Sequence, residues 1–92
     1  MSATTRAHAR VTGIVHGVGF RWFARHLASH YGLSGWVRNQ SDGSVELEAE
    51  GSRDEVEAFL ERIREGPRFA EVESVSVDWM DPQHDSTFEV TG

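Results

Sequence analysis

A chain of 92 residues with net charge −6, 38% hydrophobic residues and no cysteine has room for one small domain of two packed layers. Without cysteine there are no disulfides, thiolate nucleophiles or cysteine-ligated zinc, and without lysine there is no Schiff base or P-loop lysine. Residues 1–6 lack the apolar stretch of a signal peptide and no apolar run approaches membrane-spanning length, so a cytoplasmic protein is expected.

Ala7, Ala9, Val11 and Gly13 alternate with polar residues and predict a half-buried strand. The run Gly13-Ile14-Val15-His16-Gly17-Val18-Gly19-Phe20-Arg21 follows, glycine-rich and ending in arginine where a helical period begins. Glycine lets successive amides turn inward around an anion, and a helix N-terminus adds free N–H groups. Phe20, Phe23, Ala24, Leu27, Ala28 and Tyr31 trace the apolar stripe of that helix, closed by Gly32. A second strand covers residues 34–40, with Leu33, Gly35, Val37 and Asn39 on one parity, and Gln40-Ser41-Asp42-Gly43 reads as a hairpin turn. The third strand sets Val45, Leu47 and Ala49 against Ser44, Glu46, Glu48 and Glu50, read as a solvated face.

Ser52-Arg53-Asp54-Glu55 is a capping box for a second helix with the stripe Val56, Phe59, Leu60 and Ile63, stopped by Gly66-Pro67. Val75, Val77 and Trp79 predict a fourth strand with Trp79 in the core, and Phe88-Glu89-Val90 a short terminal one. The order βαββαβ plus a short strand implies an α+β, ferredoxin-like split βαβ sandwich: an antiparallel sheet with two helices on one face. One domain over residues 1–92 is expected. The helix crossover makes the first two strands run the same way, so the glycine loop and Asn39 share one edge of the sheet. Charge divides unevenly: residues 1–41 carry +5 with no acid, residues 42–92 carry −11. Both motif arginines, Arg21 and Arg38, lie in the basic part.

A second pattern, Gly35-Trp36-Val37-Arg38-Asn39, three residues, Gly43-Ser44-Val45, five residues and Gly51, joins the first. Together they resemble the paired signatures of the acylphosphatase family. Every fixed position matches except His16, which stands where that family has glutamine. The resemblance implies hydrolysis of the carboxyl–phosphate bond of an acyl phosphate to carboxylate and inorganic phosphate. It implies a phosphate-binding loop of His16, Gly17, Val18, Gly19, Phe20 and Arg21, with Arg21 and Asn39 as the catalytic pair. Arg21 would grip the phosphoryl oxygens and Asn39 would hold the attacking water.

Arg21 also stands out without the resemblance, since a cation in the first turn of a helix is unfavourable unless an anion lies between. By parity alone Asn39 reads as a hairpin-capping amide. His16 is expected to be a solvated loop histidine, not a general base. His26 and His30 are an i, i+4 pair with no third ligand in view, so no metal and no cofactor are expected. Trp22 and Trp36 read as sheet-surface or core packing. The expected partners are a small acyl phosphate and inorganic phosphate, as product and competitive inhibitor. No nucleic acid, no membrane and a monomeric state complete the expectation. An RNA-recognition module of the same element order is excluded by Glu46, Glu48 and Glu50 where bases would stack. A non-catalytic anion sensor would not need the water-holding amide, and the short chain speaks against a domain of a larger carbamoyl-transfer enzyme.

Overall fold

Alternating small apolar residues produce β1 (Thr4–Ile14), whose Ala7, Ala9 and Val11 are fully buried. The computed structural model describes residues 3–92; residues 1 and 2, part of the N-terminal stretch read above, lie outside it. The pairing of β1 with residues 71–80 shifts register at Thr12/Gly13, where Glu73 of that partner strand is the extra residue; beyond the shift Gly13 and Ile14 are exposed and Val15 lies in the core. The chain then enters α1 (Phe20–Tyr31), which buries Phe20, Ala24, Leu27 and Ala28 as its period requires. Next come β2 (Ser34–Asn39), β3 (Val45–Ser52) and α2 (Arg53–Glu65). The Ser52 hydroxyl caps α2 by accepting the Glu55 amide at 3.3 Å, and Asp54 and Glu55 complement its N-terminal dipole. β4 (Glu71–Met80) and β5 (Phe88–Val90) complete the chain.

The five strands form one sheet in the order β4-β1-β3-β2-β5. β3 pairs antiparallel with both β1 and β2, which makes those two co-directional. Alanines on the central strands leave space against the sheet for Phe20, Phe59, Leu60 and Ile63 of the helices, all in the buried cluster. The sandwich is as expected, but the sheet is mixed: β5 runs parallel to β2. The reason is the 81–87 connection, which leaves β4 at one edge, crosses the helix-free face and delivers β5 to the opposite edge.

The structure corrects two expectations. Glu50 is buried and Glu48 and Glu46 are largely so, paired with cations instead of water. Arg6, fully buried, contacts Glu48 at 2.6 Å, Glu50 at 3.2 Å and Asp85 of the crossing segment at 3.0 Å. Trp79 faces the helix side but sits on edge strand β4, remains 39% exposed and lies under the Arg53 guanidinium at 3.7 Å. Trp36 packs on the outer face beneath Arg38, while Trp22 is exposed. Among the described residues no helix is long and apolar enough to cross a membrane.

Candidate active site

Where β1 ends, Gly17 and Gly19 adopt φ of 71° and 76°, whereas neither His16 nor Val18 has a positive φ. Alternation of this kind turns successive N–H groups into one concavity, and a residue with a Cβ pays about 1–2 kcal/mol to enter the left-handed region. Gly19 is also the N-cap of α1, which has no side-chain cap and no acid in its first turn. Among the described residues the amides of 16–22 find no backbone acceptor. A row of free donors at the positive end of a helix dipole is an anion site.

Arg21, one residue into α1, donates through Nη1 to the Gly92 carbonyl. The same carbonyl accepts the Asn39 backbone amide at 3.4 Å. One oxygen thus joins the two residues the sequence singled out. Asn39 ends β2 in register with Val45 of β3, which in turn faces Val11 of β1, so its position is set by the sheet. Its side-chain Oδ1 is buried and has no hydrogen-bond partner. An unsatisfied buried acceptor costs about 1–3 kcal/mol, which a ligand or water donating to it removes.

The hairpin beside Asn39 is tightly tied. Asp42 Oδ1 accepts the Ser44 amide at 2.9 Å and the Ser44 hydroxyl at 2.6 Å. Those two donors hold the Asp42 carboxyl below its ordinary range, and Arg10 adds a further contact to it. The Ser44 carbonyl accepts from Gln40 N at 2.8 Å and from His16 Nε2 at 2.8 Å. His16 is therefore half-buried and bonded, not the freely solvated loop side chain expected. Neither anchoring carbonyl, Ser44 or Gly92, had a signal in the sequence, because every residue carries one.

Of the five arginines in residues 1–41, Arg6, Arg10 and Arg38 meet carboxylates across the sheet. Among the described residues no ion pair is found for Arg21 or Arg25, both on α1. Folding therefore pairs three of the five with carboxylates, while Arg21 stays in the first turn of α1, next in sequence to the free amides. His26 and His30 are exposed on α1, and no group of three His, Cys, Asp or Glu positioned to share a metal occurs among the described residues. A groove of about 880 Å³ between α1 and residues 86–89 includes Trp22, Arg25 and Phe88 but neither Arg21 nor Asn39. The unpaired amides of 16–20 lie outside that groove, in the loop.

The acylphosphatase family profile matches residues 7–90. An acylphosphatase of Salinibacter ruber is 58% identical over 76 residues, 83% of this chain and 80% of that one. The crystal structure of the Bacillus subtilis acylphosphatase superposes with a TM-score of 0.94 at 34% identity, covering 96% of this chain and 99% of that one. A Coxiella burnetii acylphosphatase gives 0.92 at 40% identity, covering 96% and 93%. Fold and likeness together define a small ferredoxin-like hydrolase. The chain belongs to the acylphosphatase family, and its activity is the hydrolysis of acyl phosphates.

Proposed function

We propose that the 16–20 amides and Arg21 hold the phosphoryl group of the acyl phosphate while Asn39 orients the attacking water. The observation that carries this reading is the buried, unpartnered Asn39 Oδ1 beside a loop of unpaired amides. A water donating one hydrogen to that oxygen keeps a lone pair for phosphorus. The water oxygen bonds to phosphorus as the phosphorus–carboxyl oxygen bond breaks, and the bonding electrons leave with the carboxylate. The water's protons pass to the product phosphate and solvent. Such a leaving group is a weak base and needs no protonation, so positioning and charge stabilisation suffice.

The guanidinium has five N–H donors, of which Gly92 engages one group, so the rest of the fork remains for phosphoryl oxygens. As charge spreads over those oxygens in a loose transition state, the amides and Arg21 bind it more tightly. Phosphate, the product, binds the same donors and inhibits competitively. The same reading takes the chain as a monomer acting in the cytoplasm without a metal.

Phosphate release from a simple acyl phosphate, before and after exhaustive chelation, tests this scheme. Activity is expected to survive chelation, and Arg21→Ala to lower it by about 10²–10⁵-fold, the range for oxyanion donors and arginine clamps. A folded Arg21→Ala enzyme with near-normal turnover removes Arg21 from the mechanism, and activity restored to the chelated enzyme by added zinc or magnesium removes its metal-free character.

A further inference from the structure

We infer that His16 is a positioning residue for the reaction, its ring fixing the phosphate loop against Asn39 through the Ser44 carbonyl; the inference rests on the roles assigned above to the loop and Asn39. His16 opens the loop, one residue before the first left-handed glycine. Its Nε2 lies 2.8 Å from the Ser44 oxygen, and a carbonyl only accepts. Nε2 therefore carries a hydrogen whether the ring is neutral or charged. A nitrogen committed in this way cannot take a proton from water, so His16 does not serve as general base through it.

What the bond does instead follows from its acceptor. The Ser44 carbonyl also receives the amide of Gln40, the residue after Asn39, at 2.8 Å. One oxygen thus holds the start of the phosphate loop and the end of β2 at hydrogen-bond distance from itself. Ser44 is a firm anchor: it is 3% exposed, its amide and hydroxyl bond Asp42, and its hydroxyl receives Arg10 Nε at 3.3 Å. The path from the loop to the water-holding residue runs His16, Ser44, Gln40, Asn39. In-line attack depends on the spacing along that path, and a misplacement of about 1 Å can cost 10²-fold in rate.

The loop amides and Arg21 are unaltered by a change at the His16 side chain, so phosphate binding and turnover should separate. His16→Met keeps length and removes the donor; His16→Gln supplies an amide N–H of similar reach. In folded variants, His16→Met is expected to lower kcat by about 10–10²-fold with the phosphate inhibition constant within about threefold of wild type, roughly half a tenfold step on the 1.4 kcal/mol scale. His16→Gln is expected to recover most of kcat. Wild-type kcat in His16→Met, equal losses in both variants, or a matching loss of phosphate affinity would each overturn the inference. Nitrogen NMR of the unaltered protein gives a test free of folding effects: the neutral ring should carry its hydrogen on Nε2, and the Nδ1–H form would refute the anchor. Arg21→Ala in the same series separates the two readings. If it stays active the site assignment fails, and if only His16→Met is normal this inference alone fails.

Discussion

Arg21 and Asn39 share the Gly92 carbonyl, yet their side chains offer a phosphoryl group different things. In the proposed scheme the guanidinium, a permanent charge, attracts bound phosphate and transition state alike, whereas the amide acts through the attacking water, which has no part in binding phosphate alone. Interactions made in both states appear in affinity, and those made only in the transition state appear in kcat. Asn39→Ala is therefore expected to lower kcat by about 10²–10³-fold, the cost of losing one preorganised polar group, with phosphate inhibition nearly unchanged. Arg21→Ala should weaken phosphate inhibition as well. Competitive inhibition measured on both variants decides this, and a parallel loss of phosphate affinity in Asn39→Ala would make it a brace for the loop. Arg21 was legible in the sequence because a cation at a helix start is out of place. Asn39 was legible as a polar residue on an inward parity, but its unpaired oxygen was not, since satisfaction depends on neighbours from other strands.

At the scale of elements, the segment joining β1 to α1 works because its two glycines take a conformation closed to other residues at low cost. Nothing lies within 4 Å of a Cβ built on Gly19, so a methyl group there meets no neighbour. Gly19→Ala isolates the backbone penalty, expected at about 1–2 kcal/mol of stability for a left-handed residue. If the chain instead relaxes toward negative φ, the alternation that gathers the amides is lost and phosphate affinity falls. Urea denaturation and phosphate inhibition of the same variant read both effects; a variant unchanged in both would remove the need for this geometry. Helices and inner strands were legible by period, since each buries a face of regular spacing. The bulge opposite Thr12/Gly13 was not, because its one extra residue, Glu73 of β4, shifts parity there without changing composition. The parallel pairing of β5 and the half-exposure of Trp79 escaped for a related reason: both depend on which sheet edge a strand occupies.

Across the whole molecule, charges far apart in sequence meet on the helix-free face. Arg6 of β1 faces Glu50 of β3 in register and also binds Asp85 of the crossing segment. Glu50 in turn accepts the amides of Gln83 at 2.6 Å and His84 at 2.9 Å. This cluster clasps the 81–87 segment to the sheet, and the segment leads through β5 to the Gly92 carbonyl that orients Arg21. Burial alone would raise the Glu50 carboxyl, but the amides of Gln83 and His84 and the Arg6 guanidinium outweigh it, leaving its pKa below the ordinary 4.5. Burial likewise pulls Arg6 down, and its hydrogen bonds to Glu48, Glu50 and Asp85 more than reverse that. A carboxyl lowered in the folded state binds fewer protons there than in the unfolded chain. Its stabilisation is therefore complete above the unfolded value and is lost as pH falls through the folded one. Glu50→Gln keeps the shape and an acceptor but removes the charge. Near neutral pH it is expected to cost about 1.5–3 kcal/mol, the range for hydrogen bonds to charged groups. Below the Glu50 titration the wild-type carboxyl is itself neutral, so the two proteins should converge. Urea unfolding of both from pH 7 down to about pH 3, well into the carboxylate range, measures the gap. A gap that stays constant would show that Glu50 holds the crossing segment by shape, and the charge cluster would then have no part in keeping Gly92 at the active site.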